Sequence, residues 1–254
     1  MAGLLEGKAG LVTGAAGGIG RGIAVELAKE GARVLVSDLA GEEERARETI
    51  ALCEAAGASA SWMACDVTSA EAQDALVANV VKAHGRLDFA VNNAGVAVHK
   101  ELIEVTEQEY SRVLDINLKG IFLGMRSQVR QMVEQGGGSI VNMASVAGLT
   151  GVRDIGVYTA SKHGIVGLTK NTAMEYGERG VRVNCVCPNA IRTPLMDISP
   201  PDFVEALIAP QAIKRPGEPE EVGAPVAFLL SDKASFITGI ALPIDGGYMT
   251  TAYI

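Results

Sequence analysis

Tyr158 and Lys162 lie four residues apart in GVYTASKHG (156–164), a segment that continues as IVGLTKNTAMEYG. On a helix, positions four apart share a face, so the Lys162 amine falls beneath the Tyr158 phenol. A phenol titrates near ~10, and bringing it to ~7 takes about 4 kcal/mol. A cation at ~4 Å supplies about 1 kcal/mol in water but about 4 at an effective dielectric near 20. The pair therefore serves as a general acid/base only where water is partly excluded. A surface lysine beside a half-buried tyrosine has the same spacing, and the pair alone leaves both readings open.

A second stretch able to do chemistry is LVTGAAGGIGRGIAVEL (11–27), which passes from a strand pattern into a helix through Gly14, Gly17, Gly18 and Gly20. Such a turn lets backbone N–H groups and the positive end of a helix approach a pyrophosphate. Glycines also mark any tight strand-to-helix connection, so the following strand matters. It ends in Asp38, about 20 residues on, where a dinucleotide fold needs an acceptor for the adenosine ribose hydroxyls. A carboxylate there repels a 2′-phosphate, and neither Gly17 nor Leu39 supplies a cation, so NAD is preferred over NADP.

These groups need elements to position them. Short apolar runs alternate with helix-period runs along the chain, which predicts a parallel sheet wrapped by helices. The pattern gives a helix over 70–84, opened by a capping pair at Thr68 and Glu71, and a strand over 87–92. Thr106 and Glu109 form a further capping pair. They open a helix that runs to about Gln135 and is broken in pattern at DINLKG. Then come a strand GSIVNMAS ending in Ser145, the helix of Tyr158, a strand over 181–187, a helix over 220–230 and a strand over 241–244. The count is about seven strands.

The 254 residues contain no linker-like stretch and read as one domain, 1–254. A hydrophobic fraction of 48% and 30 glycines suit a large core crossed by tight turns. The formal charge, 22 minus 30 or −8, together with the lack of a basic patch, argues against nucleic-acid and anionic-membrane partners. No apolar run reaches the ~18 residues of a membrane span and no leader pattern opens the chain, so the expected location is cytoplasmic. Cys53, Cys65, Cys185 and Cys187 read as reduced thiols. Cys185 and Cys187 share one buried strand face without a nearby histidine, and no metal site is expected. Of the histidines, His84 and His163 have no catalytic partners, whereas His99 sits in a loop that could reach a substrate.

With TGAAGGIG (13–20), NNAG (92–95), Asn117 inside a long helix, Ser145 and YTASK (158–162), the chain resembles a short-chain dehydrogenase/reductase. The match runs from Lys8 to the DGG at 245–247. The resemblance implies a three-layer Rossmann-type α/β fold with a doubly wound parallel sheet of seven strands. It implies a catalytic set of Asn117, Ser145, Tyr158 and Lys162. Ser145 would bond the substrate oxygen and Tyr158 transfer the proton; Lys162 would also hold the nicotinamide ribose, and Asn117 a water linking the lysine to solvent. NAD would be held by Gly14, Gly18, Ile19 and Gly20, and by Asp38. Asp66 and Val67 would flank the adenine, Asn93, Ala94 and Gly95 would line the cofactor, and Ile191 and Thr193 would meet its carboxamide and phosphate side.

The implied reaction is reversible, NAD-dependent oxidation of a secondary alcohol to a ketone. An apolar lid around 190–217, with Leu195, Met196, Ile198, Phe203, Leu207 and Ile208, points to a neutral cyclic or aliphatic substrate. Val96, Val98, Val146, Leu149 and Val152 near the presumed pocket point the same way, while Arg153 and Arg192 keep a charged substrate open. The family also contains 3-oxoacyl thioester reductases, which usually use NADPH and an acidic carrier protein; Asp38 and the negative charge count against that role. A non-catalytic dinucleotide-binding regulator is a further alternative, and retention of all four catalytic positions counts against it. Family members are commonly homotetramers, joined through the helices beginning near Glu107 and Tyr158 and the C-terminal strand region. One departure follows Pro188, where the family usually has glycine and this chain has Asn189. Asparagine tolerates positive φ, so the turn is expected to survive.

Overall fold

The computed structural model describes residues 3–197 and 199–250, without the side chain of Leu195. Its strands are β1 (Ala9–Thr13), β2 (Arg33–Asp38), β3 (Ala60–Ala64), β4 (Phe89–Asn92), β5 (Gly138–Met143), β6 (Val181–Pro188) and β7 (Ala241–Ile244). They form one sheet in the order β3-β2-β1-β4-β5-β6-β7, with every neighbouring pair parallel. The helices are α1 (Gly18–Lys29), α2 (Glu43–Ala55), α3 (Ala70–His84), α4 (Glu107–Leu114), α5 (Gly120–Glu134), α6 (Gly156–Tyr176), α7 (Pro194–Asp197), α8 (Pro201–Ile208) and α9 (Pro219–Leu230).

The central strands β1 and β4 are buried at every residue, as strands covered by helices on both faces must be. Alternate side chains go to opposite layers. Leu11, Leu35, Ala90 and Ile140 join Leu76, Met125 and Ile165 in one core. Val12, Val36, Phe89, Val91 and Val141 join Ile23, Leu27 and Val226 in the other. The result is a three-layer, doubly wound α/β fold. Strand order reverses between β1 and β4, and this switch point opens a crevice at the carboxyl edge of the sheet.

Several boundaries differ from expectation for local reasons. The N-cap of α3 is Ser69, whose hydroxyl accepts from the Ala72 N–H at 3.1 Å. Thr68 cannot serve, because its hydroxyl donates to Asp66 at 2.7 Å. The Thr106–Glu109 capping box is formed in both directions, at 3.2 and 2.9 Å. The strand expected from residue 87 begins at Phe89, since the Gln135 amide holds both Leu87 backbone groups. The strand expected to end in Ser145 stops at Met143, and Ser145 instead caps a short 3-10 turn, Val146–Gly148. The break at DINLKG is a π-helical turn, Asp115–Lys119, between α4 and α5.

Candidate functional site

Loops at the carboxyl ends of the strands gather the chemistry-bearing residues. Gly14 follows β1, Asp38 ends β2, Asp66 follows β3, Asn93 to Gly95 follow β4, and Ser145 follows β5. All of these except Ser145 line one long cleft, together with Gly17, Gly18, Ile19, Gly20, Val67, Tyr158, Lys162 and Thr193. Gly14 has φ +65°, and a Cβ there would stand 2.8 Å from the Ala94 Cα. The turn is thus built for close backbone approach. The first turn of α1 carries no acidic residue and its N-cap makes no side-chain bond, which leaves donors for an anion.

Asp38 accepts from the Ala16 N–H at 3.1 Å and the Leu39 N–H at 2.9 Å, so its carboxylate is fixed at the edge of the cleft. A cation that sequence position did not reveal also stands here. The Arg45 guanidinium from α2 lies over Gly17, paired with Glu42 at 2.8 Å. Thr13 is a further residue the sequence reading missed. Its hydroxyl accepts from the N–H groups of Asn93 and Ala94 at 3.1 and 3.3 Å, and Asn93 returns bonds to the carbonyls of Thr13 and Gly14. These bonds stitch β1 to the loop after β4 across the switch point.

Tyr158 and Lys162 share a face of α6 as expected, with the amine 5.3 Å from the ring centroid. Lys162 is only 2% exposed and donates to the Met143 carbonyl at 2.7 Å. Burial lowers its pKa to about 8, while the nearby Cys187 and Cys185 thiols act to raise it. Burial also raises Tyr158 above the ordinary phenol value, against a hydrogen bond with the Ser145 hydroxyl that lowers it. In the chain without a dinucleotide, burial thus outweighs acidification of the phenol; the expectation concerns the cleft closed by one. The amine is directed at a main-chain carbonyl and is desolvated along with the ring.

Asn117 is buried in the π-helical turn. Its amide accepts from the Val96 N–H at 2.8 Å and donates to the Val96 carbonyl at 2.9 Å and the Ser161 hydroxyl at 3.1 Å. Ser161 in turn donates to the Tyr158 carbonyl at 2.7 Å. The side chain is thus committed to fixing the loop after β4 against α6. Gly95 keeps the space above it open, since a Cβ there would lie 3.3 Å from Asn117 Oδ1 and 3.7 Å from Lys162 Nζ. Ser161 was legible only as a small polar residue three positions beyond Tyr158.

A smaller cavity of about 170 Å³ adjoins the cleft, and Ile19, Met143, Tyr158 and Thr193 line both. Ser145 and Ile191 line this second cavity, as do Met196, Phe203 and Leu207 of the expected lid and Val146 and Val152. Val98, Leu149 and Ile208 do not, and Val96 lines the long cleft instead. Ile198 and the Leu195 side chain lie outside the described residues. Arg153 is 87% exposed beside Asp154, and Arg192 is 62% exposed and paired with Glu218; neither lines the cavity.

The segment expected as a lid is closed at its base by backbone bonds between Arg192 and Gly217 and between Gly217 and Ala190. Asn189 fastens its far side. The Asn189 amide donates to the Leu207 carbonyl, in the last turn of α8, and to Gln211, each at 2.9 Å. Tolerance of positive φ is not why asparagine stands there; among the described residues Asp154 is the one non-glycine with positive φ.

Over residues 14–249 the chain matches the family model described as enoyl-(acyl carrier protein) reductase. Levodione reductase of Leifsonia aquatica is 40% identical over 93% of this chain and 92% of its own. Cyclohexanol dehydrogenase of Acinetobacter sp. (strain SE19) is also 40% identical, over 98% and 97% respectively. The 3-oxoacyl-(acyl-carrier-protein) reductase of Staphylococcus aureus (strain Mu50) is 38% identical over 94% and 97%. A crystal structure of levodione reductase has a TM-score of 0.91 and 37% identity, covering 98% of this chain and 100% of that one.

Two variants test this geometry. Holding a buried amine near pH 8 costs about 3 kcal/mol at neutral pH, for a pKa lowered from 10.5 to about 8. Because the folded value is depressed, the cost is full below about 8, where the amine is charged in both the folded and unfolded chain, and fades as pH rises toward 10.5. Lys162→Met should therefore raise the Tm at pH 7 by a few degrees while abolishing turnover; a lower Tm would contradict the assignment. Asn189→Ala uncaps α8 and should raise KM for the organic substrate several-fold while leaving dinucleotide affinity nearly unchanged, as steady-state kinetics would read.

Proposed function

Because the chain belongs to the short-chain dehydrogenase/reductase family, we propose that it interconverts a neutral secondary alcohol and its ketone, using NAD. The supporting observation is the meeting of a dinucleotide-sized cleft and a small apolar cavity at Tyr158. Bound there, the dinucleotide would supply the hydride acceptor for alcohol oxidation and, in its reduced form, the hydride donor for ketone reduction. The turn from Gly14 to Gly20 binds the pyrophosphate, Asp38 the adenosine ribose and Lys162 the nicotinamide ribose. Asp66 and Val67 flank the adenine; Asn93, Ala94, Gly95, Ile191 and Thr193 complete the wall. Ser145 orients the substrate oxygen, and Tyr158 takes or gives its proton. Asn117 holds the loop after β4 and α6 in register.

NAD rather than NADP is favoured by the fixed Asp38 carboxylate, with the nearby Arg45 already answered by Glu42. The compact apolar cavity, which neither Arg153 nor Arg192 lines, favours a neutral ring or short chain over a charged acid. A 3-oxoacyl thioester reductase is the second reading, favoured by the Staphylococcus aureus relative. Exposed Tyr110 on α4, Phe122 on α5 and Met174 on α6 fit a homotetramer assembled through these helices, whose mass light scattering reads. Among the described residues no helix is long and apolar enough to cross a membrane. The four free buried thiols fit a cytoplasmic setting.

A panel of secondary alcohols and ketones with each cofactor tests the reading. Alcohol oxidation with NAD should exceed that with NADP in kcat/KM, and acetoacetyl-CoA with NADPH should be the poorer pair; the reverse order would favour the second reading. Tyr158→Phe should retain NADH binding by fluorescence and lose about 10²–10⁴-fold in kcat. As the phenol must shed its proton to serve as base, oxidation should rise with pH above neutrality and reduction fall. A flat oxidation profile would contradict that role.

A further inference from the structure

His99 stands in the wall of the small cavity, on the loop after β4. Its ring packs edge-to-face against Phe203 of α8, with centroids 4.4 Å apart and planes at 88°. Nδ1 is buried without a hydrogen-bond partner. Burial lowers the pKa of the ring, against the Asp154 carboxylate that acts to raise it. The neutral imidazole offers one donor and one acceptor.

An unpaired polar atom in such a place is destabilising unless a ligand satisfies it. Packing alone does not call for it, since phenylalanine would make the same contact with Phe203 without a buried nitrogen. The surrounding wall is apolar at Val146, Val152, Ile155, Val204 and Leu207; Ser145 and Tyr158 are assigned to the reacting oxygen, and Asn189, whose Oδ1 is likewise buried without a partner, is tied through its amide nitrogen to Leu207 and Gln211. A second oxygen on the substrate would pair with His99.

We propose that His99 is a specificity residue that hydrogen-bonds a second hydroxyl or keto oxygen of the substrate. The preferred substrates are then cyclic secondary alcohols or ketones with another oxygen on a different ring carbon. This rests on the alcohol/ketone reading above and narrows it to a substrate class.

The test compares cyclohexanol with the 1,2-, 1,3- and 1,4-cyclohexanediols, using NAD-loaded enzyme. His99→Phe keeps the contact with Phe203 and removes both nitrogens. It should lower kcat/KM for the best diol about 10–100-fold, from loss of one buried hydrogen bond, and leave cyclohexanol unchanged. His99→Gln should recover part of the loss. An equal effect on cyclohexanol and the diols, or none on either, would overturn the proposal.

The second arm needs no turnover. The same ligands are titrated against NAD-loaded Tyr158→Phe, and the His99 Cε1–H resonance is followed by NMR. It should move with a diol and stay in place with cyclohexanol; a resonance that ignores every diol overturns the proposal. Absence of turnover in the wild type with a shifted resonance would sink the reaction and leave His99 in its role.

Discussion

The amine of Lys162 is almost wholly buried at the wall of the cleft, and the arrangement around it follows from that constraint. A buried ammonium is strongly disfavoured unless something shares its charge, and here that partner is the Met143 carbonyl at the end of β5. The bond fixes α6 against the sheet edge and so sets the height of Tyr158 in the crevice. Ser145, two residues beyond Met143, arrives opposite the phenol because the strand has already ended. One hydrogen bond thereby registers three of the four residues assigned to chemistry. The fourth, Asn117, secures the same helix from the other side through Ser161.

The larger frame is the parallel sheet. Because all strands point the same way, each contributes its following loop to one edge, and the reversal between β1 and β4 opens the gap into which those loops project. Residues far apart in the chain meet there without any long-range pairing of their own. Asn93 closes the base of the gap by donating two bonds to Thr13, 80 residues away. Beyond β6, the chain leaves as a loop pinned at Ala190, Arg192 and Gly217 and fastened by Asn189, which walls the small cavity against the long cleft.

Much of this was legible in the sequence because the signals are local or periodic. Continuous apolar runs gave the strands, the glycine turn and Asp38 gave the cleft, and Thr106 with Glu109 gave a helix start. Other features depend on competition between partners that no local pattern records. Thr68 has the cap spacing but bonds Asp66, so Ser69 caps instead. The interruption at DINLKG was visible, yet its π geometry follows from Asn117 reaching Val96 and Ser161. Arg45 reaches Gly17 through the packing of α2 on α1, and the tie from Asn189 to α8 spans 18 residues. The burial of the phenol was not legible for the same reason, since charge proximity is local in sequence and desolvation is not.

The protonation of Lys162, which NMR of isotopically labelled lysine Cε can follow, tests the arrangement most directly. Comparison of the wild type with Lys162→Met assigns the resonance. The prediction is one lysine that titrates near about 8 in the folded protein and vanishes in the variant. If every lysine titrates above about 10, as solvated amines do, the amine is not buried beneath the phenol and the arrangement described here is wrong.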